Sequence, residues 1–242
     1  MKTLGLIGYP LSHSFSKKHF SEKFERENIE GLQYELFPLE SIEEFPDLLK
    51  KNPDIVGLNV TIPYKEAVIP YLDEIDESAA FGAVNTIKFE NGKLRGFNTD
   101  VYGFEHSIKP LLQAHHTAAL ILGTGGAAKA VASVFGRLRI AYKYVSRTPS
   151  EGQFSYKNID ENTIKNHTVI VNTTPLGMYP NAEYCPRLPY EKLSDKHLFY
   201  DLVYNPNVTT FLKNGKKQGT SIKNGLDMLY LQAERAWEIW NE

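Results

Sequence analysis

The chain has 242 residues, enough for one large domain or two small ones, with 42% hydrophobic and 23% charged residues, an ordinary globular balance with ample material for a core. A formal net charge of −2 gives no electrostatic case for a nucleic-acid or anionic-membrane partner, although a local basic patch can still hold one phosphate. The single cysteine, Cys185, excludes an intrachain disulfide and a structural zinc–thiolate centre and fits a reducing compartment, so no metal is expected.

From the N-terminus, "MKTLGLIGYP" is too short for a signal-peptide core, and no later stretch approaches transmembrane length, so the expected setting is cytoplasmic. Leu4 to Gly8 reads as a short apolar strand. Ser16 to Asn28 reads as a helix, with Phe20 and Phe24 four apart on one face. "LQYELF" sets Leu32, Tyr34 and Leu36 against Gln33 and Glu35, the alternation of a half-buried strand. Ser41 and Glu44 have capping-box spacing, while Pro46 marks the start of the main helix. "IVGLNVTI" is the next strand. "VNTIKFENGKLRGFN" predicts a hairpin about Asn91-Gly92, the pair favoured by a type I′ turn.

The rhythm then changes. "TAALILG" is a continuous apolar run ending in glycine, as expected of a strand buried on both faces. A helix from Ala127 to about Leu138 and a strand at "IAYKYVS" follow, with further strands at "HTVIVN", "HLFYDLV" and "TSIKN". Strand, helix, strand in this order predicts a parallel sheet with helices on both faces. Gly225 to Trp240 reads as one amphipathic helix on Leu226, Leu229, Ala233, Ala236 and Trp240. Two α/β domains are expected, with a boundary near Asn98 to Gly103.

In "LILGTGGAAKA", Gly123, Gly125 and Ala128 give the pattern G-x-G-x-x-A between a strand and a helix. Small residues there let backbone N–H groups approach a pyrophosphate at a helix N-terminus, although such turns also exist for packing alone. An NAD site has an acid near the end of the next strand. Here that strand ends "YVSRT", and Arg147 offers a planar fork for a 2′-phosphate, with Ser146 and Thr148 assisting. An exposed loop arginine is the plainer alternative. Together with the glycine loop, the cationic reading favours NADP over NAD.

The first half carries more polar groups than structure requires. "GYPLSHSFS" places Ser12, His13, Ser14 and Ser16 between a strand and a helix, where one serine would suffice as a cap. Asn59 and Thr61, two apart, share one face of a strand, and Pro63 turns the chain so that Lys65 follows. "AVNTI" and "GFNTD" add Asn85, Thr86, Asn98, Thr99 and Asp100. Asn98 or Thr99 would also serve as a cap for the next helix, and Asp100 as an acid in its first turn. Hydroxyls and amides near one lysine and one aspartate suit a polyhydroxylated, carboxylated substrate.

In their order along nearly the whole chain, these motifs resemble the bacterial-type shikimate dehydrogenases. Ser14-Phe15-Ser16 after Gly8-Tyr9-Pro10 is similar to that family's paired-serine loop. "NVTIPYK", "GAVNT" and "GFNTD" are similar to its substrate-domain motifs. "GTGGAAKA", "SRT" and "NTTPLGM" are similar to its cofactor motifs, and "DLVYNPNVTTFL" and "GLDMLYLQA" to its C-terminal signatures. The resemblance implies an α/β fold: a substrate domain over residues 1–99, a Rossmann-type NADP domain over 100–224, segment 225–242 packing back onto the first, and an active-site cleft between them. It implies reversible NADP-linked reduction of 3-dehydroshikimate to shikimate, in a monomer or homodimer with no nucleic-acid or membrane partner. Ser14 and Ser16 would then bind the substrate carboxylate, Asn59, Thr61, Asn85 and Gln232 its ring hydroxyls, and Lys65 and Asp100 would form the catalytic pair. Tyr204 on the substrate side and Gly225 would lie where substrate and nicotinamide meet. Gly123, Gly125, Gly126, Ala127, Ser146, Arg147, Thr148, Asn172, Thr173, Thr174, Met178 and Leu202 would line the cofactor. Lys17 stands where the family often has proline, Ser146 where asparagine is common, and Thr173 where alanine is common.

Hydride addition to the ketone carbon develops negative charge on the ketone oxygen, which a lysine ammonium would stabilise and protonate. Burial lowers a lysine's pKa from its ordinary ~10.4, and a nearby carboxylate raises it. In the oxidative direction Lys65 must be neutral to accept a proton, so shikimate oxidation is expected to accelerate toward alkaline pH. Two other readings stay open: an NAD-using quinate/shikimate dehydrogenase, against which Arg147 and Ser16 speak, and a non-catalytic NADP- or shikimate-binding sensor, against which the pair Lys65 and Asp100 speaks.

Overall fold

The computed structural model describes residues 1–11 and 14–242; Ser12 and His13 of the serine loop lie outside them. The chain divides into two compact units, Met1–Thr99 with Ala233–Glu242, and Asp100–Gln232.

In the first unit the elements are β1 (Lys2–Gly8), α1 (Phe15–Arg26), β2 (Leu32–Pro38), α2 (Phe45–Lys51), β3 (Ile55–Val60), β4 (Glu74–Ile75), β5 (Thr86–Glu90) and β6 (Lys93–Phe97). They form one mixed sheet in the order β2-β1-β3-β5-β6-β4. β1 runs parallel to β2 and β3, whereas β5 is antiparallel to β3 and β6. The β5–β6 hairpin turns at Asn91 and Gly92, both at positive φ (52° and 76°), as a type I′ turn requires. Leu4, Leu6, Phe20, Phe24, Tyr34 and Ala233 form one apolar cluster, with Trp237 and Trp240 against it. Ile7, Phe45, Ile55, Leu58, Val60 and Val68 belong to another. Leu4 and Leu6 alternate with Ile7 along β1, so the two clusters cover opposite faces of the sheet. The capping box of Ser41 and Glu44 opens a short 3-10 turn, Ile42–Glu44, and α2 follows it with Pro46 in its first turn.

The second unit contains α3 (Thr99–Ile108, of which Thr99 still belongs to the first unit), β7 (Ala118–Leu122), α4 (Gly126–Arg137), β8 (Ala141–Ser146), β9 (Phe154–Ser155), α5 (Glu161–Asn166), β10 (Val169–Asn172), β11 (Leu198–Asp201), α6 (Thr210–Lys217), β12 (Ser221–Asn224) and the first part of α7 (Leu226–Asn241). All its strand pairs are parallel, in the order β12-β11-β10-β7-β8-β9. Read from β9, this is the doubly wound order in which the chain reverses direction between its first and fourth strands, and ligands bind beyond the strand ends at that reversal. Here the reversal lies between β7 and β10. The strands "AALIL", "VIVN" and "LFYD" are almost wholly buried, which matches their continuous apolar sequence. Phe104 stacks edge-on against both Phe135 and Tyr200, and Phe199 lies parallel to Phe211.

The division between units falls inside α7: Leu226 to Gln232 group with the second unit and Ala233 onward with the first. In the first unit Trp240 Nε1 donates to Ile87 O at 3.0 Å. Lys23, buried on α1 between Phe20 and Phe24, pairs with Glu234 at 2.7 Å and Glu27 at 3.2 Å. Burial opposes its charge, but the hydrogen bonds to Glu234 and Glu27 outweigh it and hold the ammonium above the ordinary lysine range. Among the described residues no helix is long and apolar enough to cross a membrane, and no group of three or more His, Cys, Asp or Glu side chains could hold a metal ion.

Candidate active site

The polar residues of the first unit form two hydrogen-bonded groups, one at the start of α1 and one running from Tyr34 to Thr99. Ser14 is the N-cap of α1, its Oγ accepting from Lys17 N at 3.3 Å; a proline at 17 would have no N–H to give. The Lys17 ammonium pairs with Glu35 on β2 at 2.8 Å. Ser14 still has its hydroxyl proton to donate, at a helix N-terminus whose first turn has no acid, which is a favourable setting for a carboxylate. On β2, the Tyr34 hydroxyl donates to Asn59 Oδ1 at 2.8 Å. Asn59 Nδ2 reaches Asn85 O and Thr86 Oγ1, each at 3.3 Å. Asn85 closes the chain: its Oδ1 accepts from Thr99 N at 2.7 Å and its Nδ2 donates to Thr99 Oγ1 at 3.1 Å. Asn59, Asn85, Thr86 and Thr99 are all buried, so each bond satisfies a group that would be costly to leave alone.

Asn98 acts as a pin: its Nδ2 donates to Ala83 O at 2.8 Å and its backbone N–H to Ser78 Oγ at 3.0 Å. The first N–H of α3 is thus capped by Asn85, a residue distant in sequence, and Asp100 follows in the first turn of the helix.

β3 ends at Val60, just before Thr61, so Asn59 lies within the strand and Thr61 beyond it. Thr61 N donates to Ile7 O at 2.9 Å, and Tyr64 N closes a turn on Thr61 O at 2.9 Å. Tyr64 is buried, its hydroxyl donating to Leu39 O at 2.6 Å. The carbonyl of Lys65 accepts from Val84 N at 2.7 Å. The backbone that carries Lys65 is therefore fixed on both sides, one residue away from Asn85 on the facing segment.

In the second unit, Asp100 and Gly103 stand three apart on α3 and so share a face. A Cβ at Gly103 would lie 2.5 Å from Met228 O and 3.1 Å from Gln232 Cβ. That glycine lets α7 approach α3 closely, which sets Gln232 against the face bearing Asp100. The Gln232 Nε2 donates to Leu229 O at 3.0 Å.

The expected cofactor residues all lie at the carboxyl ends of this unit's parallel strands. Gly123 follows β7 at φ +113°, and a Cβ there would stand 2.7 Å from Thr173 Oγ1. Gly125 is the N-cap of α4, Gly126 and Ala127 open the helix, and its first turn has no acid. A pyrophosphate fits such a terminus, with free N–H groups, positive partial charge and no competing carboxylate. Ser146 ends β8, its Oγ accepting from Thr148 N at 3.2 Å, and Arg147 between them is exposed.

Beyond β10, Asn172 Oδ1 accepts from Thr174 Oγ1 at 2.6 Å and Thr174 N at 3.0 Å, and Thr173 Oγ1 donates to Leu122 O at 2.7 Å. Met178, farther along that loop, is about half exposed. Leu202 N donates to Asn172 O at 2.9 Å, past the end of β11, and Gly225 follows β12, with its N–H 3.4 Å from Val203 O. Tyr204 is 37% exposed. The glycine loop and the Asn172–Thr174 loop thus meet at the reversal between β7 and β10.

Residues 6–87 match the shikimate dehydrogenase substrate binding domain. A shikimate dehydrogenase (NADP+) from Methanosphaera stadtmanae is 38% identical, the alignment covering 99% of this chain and 92% of that protein. The chain belongs to the shikimate dehydrogenase family. A crystal structure of a shikimate dehydrogenase in complex with NADP+ superposes with a TM-score of 0.87 at 35% identity, covering 99% of this chain and 90% of that one. The shikimate 5-dehydrogenase of Thermus thermophilus, in complex with NADP(H) and shikimate, gives 0.87 at 31% identity over 99% and 93% of the two chains.

Sequence patterns missed two residues that organise this family's motifs here. Tyr34 read only as the buried position of an alternating strand. Asp201 read only as part of a signature, although an acid inside the otherwise apolar "HLFYDLV" is itself a signal. It is fully buried and holds three groups: Thr209 Oγ1 at 2.5 Å, Asn172 Nδ2 at 2.9 Å and Val203 N at 3.1 Å. Burial pushes its carboxyl up to about 6, against the pull of those three donors.

Proposed function

We propose that this protein catalyses the reversible, NADP-linked reduction of 3-dehydroshikimate to shikimate, a step toward aromatic compounds. The observation that carries the assignment is the pairing of two residue sets in one family member. One is the connected Tyr34, Asn59, Asn85 and Thr99 chain beside the fixed backbone of Lys65. The other is a Rossmann-ordered sheet whose second strand ends in Ser146-Arg147-Thr148 with no acid. The relatives' names support the same activity.

Gly123, Gly125, Gly126 and Ala127 would hold the pyrophosphate; Ser146, Arg147 and Thr148 the 2′-phosphate; Asn172, Thr173, Thr174, Met178, Leu202 and Gly225 the nicotinamide side. Bound NADPH supplies the hydride. Ser14 and Ser16 donate hydroxyl protons to the substrate carboxylate. Asn59, Thr61, Asn85, Tyr204 and Gln232 orient the ring through its hydroxyls. Lys65 Nζ gives a proton to the ketone oxygen as negative charge grows there, and in reverse takes the proton from the shikimate hydroxyl. Asp100 accepts a substrate hydroxyl hydrogen bond and orients Lys65.

The test is turnover of purified protein with shikimate or quinate, each with NADP or NAD, followed by nicotinamide absorbance. Strong turnover with shikimate and NADP alone is expected. Comparable turnover with quinate or NAD would assign a quinate/shikimate dehydrogenase, and NADP binding without turnover a sensor. Lys65→Ala is expected to lower kcat by about 10²–10⁴-fold, the range of one general acid, with NADP affinity kept; normal turnover would remove Lys65 from the mechanism.

A further inference from the structure

Asn172 and Asp201 are the last residues of β10 and β11 and stand opposite each other in the parallel ladder, so their side chains share one face of the sheet. Both are fully buried. Each reaches forward past its strand end to a backbone N–H two residues on: Asn172 Oδ1 accepts from Thr174 N at 3.0 Å, and Asp201 Oδ1 from Val203 N at 3.1 Å. The two turns are then tied together, Asn172 Nδ2 donating to Asp201 Oδ1 at 2.9 Å.

The rest of Asn172 is occupied too. Its Nδ2 also reaches Leu176 O at 3.3 Å, its Oδ1 accepts from Thr174 Oγ1 at 2.6 Å, and its backbone carbonyl from Leu202 N at 2.9 Å. A side-chain amide offers two donors and two lone pairs, and all four are used inside the protein. Asn172 therefore shapes residues 173–176 from beneath, and the carboxylate selects its orientation. Turned over, the amide would set its oxygen against Asp201 and its NH₂ against the Thr174 N–H.

The two carboxylate oxygens of Asp201 serve different elements. Oδ2 accepts the Thr209 hydroxyl at 2.5 Å, and Thr209 Oγ1 in turn accepts from Leu212 N at 3.3 Å as the N-cap of α6. Oδ1 holds the two strand-end turns. On the far side, Thr173 Oγ1 donates to Leu122 O at 2.7 Å, just before Gly123. The segment after β10 is thus tethered to both neighbouring strands, β11 and β7.

We propose that Asp201, through Oδ1, is a positioning residue for the nicotinamide end of NADP: it holds Asn172 in one orientation and so sets the turns whose Thr173, Thr174 and Leu202 meet that ring. The proposal rests on the NADP reading of these turns and on nothing about the substrate.

The experiment titrates parent and variants calorimetrically with NADPH and with 2′-phospho-ADP-ribose, which lacks only the nicotinamide ring. Asp201→Leu removes both acceptors, and its NADPH affinity should fall about tenfold, the consequence of a misplaced hydrogen-bonding partner. Its affinity for 2′-phospho-ADP-ribose should stay within about twofold. Asp201→Asn keeps an acceptor for Asn172 and Val203 and should restore the NADPH affinity. Thr209→Val removes the Oδ2 branch alone and should lower the melting temperature with NADPH affinity kept. Equal losses for both ligands, or a lowered melting temperature with neither affinity changed in Asp201→Leu, would overturn the proposal and leave Asp201 a structural acid.

A second measurement uses the parent protein and does not depend on the folding of Asp201→Leu. The Asp201 carboxyl carbon resonance, assigned by its loss in Asp201→Asn, should move when NADPH is added and move far less with 2′-phospho-ADP-ribose. A resonance unmoved by NADPH, or moved alike by both ligands, would overturn the proposal while leaving the cofactor assignment in place. Absence of NADPH binding would overturn both. Since neither measurement uses shikimate, the stated behaviour in a protein that does not oxidise shikimate would retain the proposal and reject only that substrate.

Discussion

Asp201→Asn isolates the electrostatic cost of a single buried carboxylate. The side chain is fully buried at the end of β11, and burial raises its carboxyl to about 6. The folded protein therefore binds this proton more tightly than the unfolded chain, where the ordinary value of 3.8 applies. The group's contribution is most favourable below pH ~4 and is lost as pH rises through about 6. A window of about two pH units at about 1.4 kcal/mol each makes the loss about 3 kcal/mol.

Asparagine keeps the acceptor for Asn172 Nδ2 and Val203 N and presents an NH₂ to Thr209 Oγ1, which can accept it. The Thr209 hydroxyl proton loses its partner, a pH-independent cost of about 1 kcal/mol. The stability of Asp201→Asn minus that of the parent should therefore rise by about 2.5 kcal/mol between pH 4 and pH 7, most of the full loss. Urea unfolding followed by far-UV circular dichroism at matched pH measures the difference, because both tryptophans, Trp237 and Trp240, lie in the other unit. A difference that stays flat across this range would refute the assignment of a raised pKa to Asp201.

Two further substitutions probe the cofactor loops. Gly123→Ala forces a left-handed backbone onto a residue with a Cβ and drives that atom to 2.7 Å from Thr173 Oγ1, a strain of about 1–3 kcal/mol; fluorescence titration should show NADP affinity falling at least about tenfold with shikimate affinity kept. On the proposed reading, Arg147→Ala would remove a charge-assisted contact to the 2′-phosphate of about 1.5–3 kcal/mol, so the NADP KM should rise about 10- to 100-fold while the NAD KM stays unchanged, and equal effects on both cofactors would exclude that role.

The elements that sequence patterns placed best are those where one periodicity or turn dominates. Asn91-Gly92 fixes the hairpin because few other pairs accept two successive left-handed residues. "TAALILG" declares a strand buried on both faces because a run this apolar can be solvated on neither. Phe154–Ser155 and Glu161–Asn166, as short β9 and α5, carry too few residues to show a period and are held by their neighbours in the sheet.

The candidate site follows the same rule. Ser14, Asn59, Asn85 and Asp100 were visible because hydroxyls, amides and an acid clustered where packing needed none. Whether Asn98, Thr99 or another residue caps α3 depends on a long-range contact, Asn85 Oδ1 to Thr99 N, which local spacing cannot encode. Tyr34 was missed for the same reason: the partner of its hydroxyl, Asn59, lies 25 residues on, in another strand.

Lys65 illustrates how such contacts would serve the proposed chemistry. A lysine side chain has four rotatable bonds and loses about 2 kcal/mol of rotamer entropy when immobilised, so its backbone must already point the right way if the remaining cost is to stay small. Here the strand ends at Val60, Thr61 is tied to Ile7, Tyr64 is locked on Leu39, and the carbonyl of Lys65 itself is held by Val84. Pro63 fits this turn because it supplies a rigid bend and, having no N–H, leaves no donor unsatisfied there. The stretch that begins as an ordinary strand thus ends as a fixed mount for Lys65, the proton donor we propose. The neighbouring Asn85, bonded at once to Thr86 and Thr99, ties that mount to the residue immediately before Asp100.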